Sequence, residues 1–205
     1  MTQPPFGDTA LVALHYQNDV LHPEGKIRVG LAADSPQRSR LVNAAQALLD
    51  RARARRMPIV HVRVAYRPDG ADIIFNAPIF RNVAAIGAVQ DGSWGAEFYT
   101  SLAPIMDNER EFVVKHSRIN AFFGSQLEEV LRALGVSRLL VAGVATHSVV
   151  ESTVRHAVDM GFEVDVVANA CSAADMDVHR ASLHSMSLIA QILDAEDLEQ
   201  NYPPA

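Results

Sequence analysis

The chain has 205 residues, of which 49% are hydrophobic and 20% are charged, a composition typical of a globular protein with one substantial core. Its formal net charge of −6 argues against a nucleic-acid partner, and no apolar run approaches membrane-spanning length. Because Cys171 is the only cysteine, an intrachain disulfide is excluded, and we expect a cytoplasmic protein.

Predicted strands and helices alternate through the first part of the chain. The apolar run at residues 9–14 predicts a buried strand that ends at His15, and residues 58–65 predict a second one. Between them, Ser35 and Pro36 have the pattern of a helix start, as N-cap and first helical residue. Residues 66–110 are rich in turn residues, so we expect a partly helical excursion that covers the carboxyl edge of the sheet.

The alternation continues to the end of the chain. Ser125 and Glu128 have the spacing of a capping box for a helix that reaches Leu134. We expect strands at residues 110–115, 139–144 and 162–168, a helix from Met176 or Asp177 to Leu188, a short edge strand at 191–193 and a tail at 194–205. This order predicts one α/β domain over residues 1–205, a three-layer α/β/α fold with a doubly wound, mostly parallel, Rossmann-like sheet of five or six strands.

The segment from Leu139 to Thr153 is the centre of the prediction. An apolar strand ends at Gly143, and a helical pattern starts at Val149. Thr146 and Ser148 are candidate caps of that helix. The free N–H groups of a helix start favour negative charge, and ligands of open parallel sheets bind at this carboxyl edge.

Two motifs carry a resemblance to a known family. Gly143-Val-Ala-Thr, followed after three intervening residues by Val150-Glu-Ser-Thr, resembles the nucleophile segment of the isochorismatase-like cysteine hydrolases, and Gln17-Asn-Asp matches a second family motif. The resemblance covers nearly the whole chain and implies the isochorismatase-like hydrolase fold. It also implies a Cys nucleophile at the helix start, an Asp on the first strand that moves the thiol proton, and a Lys on a middle strand that lowers the pKa of both.

At least two of these three family positions carry other residues here. The Cys position falls on Val149, a hydrocarbon that cannot attack a carbonyl, and the Asp position falls on His15. Histidine can transfer protons near neutral pH, and its alternative role is hydrogen bonding at a strand end. The Lys position falls on either Lys115 or His116, which point to opposite faces of the strand. The cost of burying an unpaired Lys favours a Lys115 that reaches the cleft, with a surface role as the alternative.

No other side chain is a good replacement for the missing thiol. One helical step turns a side chain by about 100°, so Ser148 should point away from the position of Val149. Cys171 is expected to be a small buried hydrophobe at the end of the fifth strand. Around the substrate pocket we predict Gln17, Trp94, Phe122, Ala145, Thr146, His147 and Ser148.

Three hypotheses of function follow from these residues. The first is a hydrolase that acts on a small vinyl ether or amide by acid–base catalysis without a covalent intermediate. The second is a catalytically inactive homologue that binds a small molecule or has a structural role. The third, ranked last, is an amidase with Ser148 as nucleophile.

We expect a small-molecule ligand or substrate, no cofactor, and neither nucleic acid nor membrane as a partner. No metal site is predicted, because residues 66–94 contain no histidine where metal-binding members of the wider family have their ligands. The resemblance implies a homodimer or homotetramer.

Overall fold

The computed structural model describes residues 8–198 and Tyr202. Its central layer is one sheet of six parallel strands, which agrees with the upper of the two predicted strand numbers. The strands are β1 (Thr9–Leu14), β2 (Ile59–Val64), β3 (Glu111–His116), β4 (Arg138–Val144), β5 (Glu163–Ser172) and β6 (Gln191–Leu193). Their spatial order is β3-β2-β1-β4-β5-β6, so the winding direction reverses between β1 and β4, where ligands of such sheets bind.

Helices cover both faces of this sheet. They are α1 (Asn18–Leu21), α2 (Pro36–Ala54), α3 (Pro78–Ile86), α4 (Leu127–Leu134), α5 (Glu151–Asp159) and α6 (Met176–Met186). With right-handed crossovers, α2 lies on one face, where it packs against β2 and β5, and α4, α5 and α6 lie on the other. A π-helical turn (Thr146–Val150) precedes α5, and 3-10 turns occupy Arg28–Gly30, Trp94–Ala96, Thr100–Leu102 and Ala195–Asp197.

The two central strands approach each other most closely at their carboxyl ends. Leu14 of β1 is in register with Gly143 of β4, and a Cβ on Gly143 would lie 2.3 Å from the Leu14 carbonyl oxygen. Gly143 also has a φ of +148°, which favours glycine. A side chain is therefore excluded at the point where β4 leaves the sheet and the functional segment begins.

The excursion between β2 and β3 has a small core of its own. Val64, Tyr66, Phe80, Val89 and Ala96 belong to this second cluster, which is separate from the main core of the sheet. Phe80 is the buried residue of α3 and packs toward the carboxyl edge. As the sequence predicts, this segment is partly helical and covers that edge.

Several predicted boundaries differ from the observed ones. Helix α4 begins at Leu127, with Gln126 rather than Ser125 as the residue before it. The Ser125 hydroxyl accepts a hydrogen bond from the Leu127 N–H, as a capping side chain does, but the capping box with Glu128 does not form. Strand β5 extends to Ser172, since a register shift in β4 lets Cys171 pair with Gly143.

The ends of the chain are only partly described. The predicted tail at residues 194–205 lies outside the described residues at 199–201 and 203–205, as residues 1–7 do at the other end. Among the described helices, none combines the length and apolarity that a membrane span requires.

Candidate functional site

A cavity of about 800 Å³ opens at the carboxyl edge of the sheet, next to the reversal between β1 and β4. Its wall is mainly aliphatic and aromatic, with contributions from β2, the excursion, and the turn that leads into α5. Of the predicted site residues, four lie on its wall together with Val149: His15, Ala145, His147 and Ser148. A volume of this size accommodates a small organic molecule.

His15 follows the last residue of β1 and turns the chain out of the sheet. Its φ is +59°, a left-handed conformation that histidine adopts more readily than most residues. The backbone remains tied to the sheet, because the His15 N–H donates to the Val62 carbonyl at 2.9 Å. The side chain is 9% exposed and forms part of the cavity wall.

His116 ends β3 and meets His15 across the end of β2. The two Nε2 atoms lie 2.5 Å apart, and the ring planes are tilted by 31°. His116 is 2% exposed, and its Nδ1 lies 3.3 Å from the Asn120 carbonyl oxygen, to which it can donate. The proton between the two Nε2 atoms therefore belongs to His15 when His116 carries its own proton on Nδ1.

Both imidazoles are neutral near pH 7. Burial lowers the pKa of His116 to about 4. Burial also lowers the pKa of His15 well below its ordinary value, and His116 lowers it further, while a hydrogen bond to the Val144 carbonyl acts in the opposite direction. A neutral pair holds two protons for three contacts, the Nε2–Nε2 contact and the two backbone carbonyls, and it carries no negative charge.

Lys115 lies on the opposite side of β3 from this pair. Its Nζ donates to Asp91 Oδ2 at 2.7 Å, and its side chain is 40% exposed. The prediction that Lys115 reaches the cleft is wrong, because alternation along the strand turns Lys115 outward and His116 inward. A partly exposed lysine with a carboxylate partner also avoids the burial cost on which that prediction was based.

Val149 lies in the turn between β4 and α5, where the predicted thiol position falls. It is 2% exposed, lies on the cavity wall and belongs to the π-helical turn that contains His147 and Ser148. Because that turn replaces a regular helix start, Ser148 also faces the cavity, although the helical step of about 100° predicts that it points away.

Four predicted pocket residues do not line the cavity. Gln17 is fully buried and bridges β2 to the excursion, with its Oε1 accepting from the Val64 N–H at 2.8 Å and its Nε2 donating to the Ala96 carbonyl at 2.9 Å. Trp94 is 46% exposed and packs edge-on against His22. The Gln17 amide thus serves the fold, and Trp94 belongs to the outer surface.

Phe122 and Thr146 are directed elsewhere as well. Phe122 stacks on His156 with ring centroids 5.2 Å apart. The buried Thr146 hydroxyl lies 2.8 Å from Nδ1 of His179 and does not cap the following helix. Both side chains attach the loops around the site to the helical layer.

Several residues that line the cavity are not predicted from the sequence. Tyr66, Phe80 and Arg118 come from the excursion and from the loop after β3, and Glu151 and Arg155 come from α5. Arg118 lies two residues beyond the end of β3, and this position at the carboxyl edge is the signal that could have identified it.

Glu151 is already occupied by neighbours on α5 and α6. Arg155 donates to its Oε1 at 2.8 Å, and the Ser182 hydroxyl donates to Oε2 at 2.6 Å. Burial raises the pKa of Glu151, but these two hydrogen bonds outweigh it, so the pKa lies below its ordinary value. Glu151 is therefore an ionised, paired carboxylate rather than a free base.

Cys171 does not take part in the cavity. It is buried at the end of β5, and burial raises the pKa of its thiol to about 12, although a hydrogen bond from the Gly143 backbone opposes this. Among the described residues, no three His, Cys, Asp or Glu side chains are grouped so that they could hold a metal ion.

The chain is similar to known proteins over nearly its whole length. The family model of the isochorismatase domain matches residues 9–197. An uncharacterised isochorismatase family protein of Escherichia coli is 28% identical over 93% of this chain and 94% of its own, and a probable inactive nicotinamidase of Arabidopsis thaliana is 27% identical over 89% of each. A crystal structure of an isochorismatase family protein from Desulfovibrio vulgaris superposes with a TM-score of 0.81 at 27% identity, over 95% of this chain and 97% of the other.

Proposed function

Since this chain belongs to the isochorismatase family, we propose that it binds a small, largely apolar molecule at the carboxyl edge of its sheet and performs no covalent catalysis there. The observation that carries this proposal is Val149, which lies on the cavity wall in the helical turn between β4 and α5. A side chain without lone pairs cannot form an acyl intermediate. The similarity to a relative described as a probable inactive nicotinamidase supports it.

The remaining groups of the site also fit binding better than nucleophilic attack. Ser148 faces the cavity, but no described residue hydrogen-bonds to its hydroxyl, so no base activates it for attack. The buried Cys171 thiol is outside the cavity and fully protonated at neutral pH. The two imidazoles are neutral and hydrogen-bonded to each other.

A second candidate function rests on that imidazole pair. His15 and His116 form a buried proton-sharing unit, and His15 lines the cavity. Such a unit could move a proton to or from a bound vinyl ether or amide while water attacks directly. Because burial disfavours the protonated pair, we rank this non-covalent hydrolysis below ligand binding.

Three measurements on the purified protein test the proposal. Isothermal titration calorimetry with 1-naphthamide, a flat apolar amide smaller than the cavity, is expected to show binding. Intact-mass spectrometry after prolonged incubation with the same amide is expected to show no adduct, and chromatography no acid product. An adduct on the peptide containing Val149 would contradict the proposal.

The variant His15→Ala separates the two candidates. Slow product formation by the wild type that disappears in this variant would establish the second candidate, whereas binding without product in both proteins supports the first. The homodimer or homotetramer and the cytoplasmic location remain predictions, and light scattering coupled to size-exclusion chromatography measures the first of them.

A further inference from the structure

We propose that the cavity selects a monocarboxylate with an apolar aromatic or aliphatic body, and that Arg118 and Tyr66 bind its carboxylate. This inference rests on the proposed binding function and specifies the chemical class of the ligand. The inference is based on the Arg118 guanidinium. It lies in the wall of a largely apolar cavity and has no acidic partner among the described residues.

Arg118 is held by neutral groups only. Its guanidinium lies 3.9 Å from the centroid of the Phe80 ring, its Nη2 donates to Asn76 Oδ1 at 2.9 Å, and a weaker contact of 3.4 Å joins Nη1 to the Ile74 carbonyl. No carboxylate among the described residues forms an ion pair with it. Two of its five N–H donors are used, so three remain for a ligand.

The contact with Phe80 positions this cation without using its N–H donors. The donors that are not bonded to Asn76 or Ile74 can therefore reach a carboxylate. Phe80 is itself anchored in the small core of the excursion, so one of the partners of Arg118 is a buried side chain.

Tyr66 supplies a second donor beside Arg118. Its side chain is 3% exposed, it lines the same cavity, and no described residue hydrogen-bonds to its hydroxyl. Burial raises the pKa of Tyr66 to about 12 while the nearby Arg118 charge opposes the shift and Asp72 adds to it, so the hydroxyl stays protonated as a donor. The Asp72 carboxylate accepts from the Arg67 N–H at 2.9 Å and is not among the residues that line the cavity.

The charge balance of the cavity points to an anion. Glu151 and Arg155 neutralise each other, and His15 is uncharged, so Arg118 leaves one net positive charge among the lining residues. Arg118 is partly exposed at the cavity wall, and a ligand carboxylate can accept charge-assisted hydrogen bonds from its remaining N–H groups. The aliphatic wall formed by residues such as Val29, Val64, Val83 and Val89 suits an apolar body and disfavours a ligand with many charges.

The test compares two probes of nearly the same shape, 1-naphthoate and neutral 1-naphthamide, by calorimetry at pH 7.5. The wild type is expected to bind naphthoate about tenfold or more tightly than naphthamide, because hydrogen bonds to charged groups are the stronger class. Arg118→Gln should bring the two affinities together by weakening naphthoate alone. Arg118→Lys should keep part of the preference.

Two further variants control for charge and folding. Arg67→Gln removes an exposed arginine that is paired with Asp69 outside the cavity, and it should leave the preference unchanged. Tyr66→Phe should weaken naphthoate by about threefold, the loss of one hydrogen bond to a charged group, and naphthamide less. It tests the same clamp without touching the cation–π contact.

The outcomes distinguish failure of the carboxylate clamp from failure of the proposed binding function. Equal affinities in the wild type overturn the carboxylate clamp and leave the binding function intact. A preference that persists in Arg118→Gln overturns the assignment to Arg118. If neither probe binds the wild type, the proposed binding function itself fails, and the clamp with it.

Discussion

The Thr146 hydroxyl lies 2.8 Å from Nδ1 of His179, and this contact joins helix α6 to the turn that carries Val149. Both side chains are buried, so neither group can exchange this partner for water. The turn between β4 and α5 is therefore held in place by a contact with α6. This helix begins at Met176, 26 residues after the end of the turn at Val150. The geometry of the cavity wall depends on that tertiary contact.

Thr146→Val removes the hydroxyl with almost no change in volume. We expect the free energy of unfolding in urea to fall by about 1–3 kcal/mol, because Nδ1 of the buried His179 loses its partner. Thr100→Val makes the same change at an exposed position and should have an effect below about 0.5 kcal/mol. Equal unfolding midpoints for the two variants would show that the contact contributes nothing.

Lys115 and His116 are neighbours with opposite orientations, and matched substitutions should separate them. Lys115→Gln is expected to cost less than about 1 kcal/mol, since surface ion pairs such as that with Asp91 contribute little. His116→Gln should cost about 1–3 kcal/mol, because the buried His15 ring loses its partner. Urea unfolding measures both, and a larger loss in Lys115→Gln would contradict the observed orientation.

The buried imidazoles predict a loss of stability in mild acid. The pKa of His116 is about 4 in the folded chain and near 6.5 in the unfolded chain, so between these values the unfolded state binds more protons. Stability should therefore be fully present above about pH 6.5 and fall as the pH decreases toward 4. At pH 5 the contribution of His116 alone is a loss of roughly 2 kcal/mol relative to pH 7.5.

Urea unfolding at pH 5.0, 6.0 and 7.5 measures this dependence. His116→Gln should have a clearly smaller loss than the wild type, and the exposed His184→Gln should retain the full loss. Identical pH profiles for His116→Gln and the wild type would mean that His116 is protonated alike in both states.

Cys171 should be inert in the native protein. Burial raises the pKa of its thiol to about 12, so almost no thiolate exists at pH 8. An aromatic disulfide reagent is expected to detect no thiol in the folded chain within minutes and one per chain in 6 M guanidinium, since Cys171 is the only cysteine. Rapid native labelling would place the thiol in a more accessible, polar setting.

Much of the fold can be predicted from the sequence, because buried strands and amphipathic helices have distinct hydrophobic periods. The apolar runs ending at Leu14 and Val144 are strands at the predicted places, and even the short edge strand at Gln191–Leu193 is present. The start of α4 is one exception, since the Ser125 hydroxyl also donates to the Ala121 carbonyl in the preceding turn. Such local competition between polar partners has no periodic signal.

The site is predictable only where residues lie at strand ends. His15 and Val149 follow β1 and β4, and the carboxyl-edge rule brings both to one cavity. Gln17 lies two residues from His15, whereas Trp94 and Phe122 lie in loops after β2 and β3. All three side chains are used for packing or for backbone hydrogen bonds. Closeness along the chain does not determine whether a side chain faces a cavity.

The sequence by itself determined the strand and helix order, the family, and the presence of a hydrocarbon at the position of Val149, because these depend on residue identity and short-range period. Only the tertiary structure decided that His116 rather than Lys115 faces His15, and that Arg118 enters the cavity without a carboxylate partner. Both outcomes depend on the direction of a side chain relative to residues distant in the chain, here 101 positions apart for the two histidines. No local pattern encodes that direction, because it is set when the strands pair and the excursion packs over them.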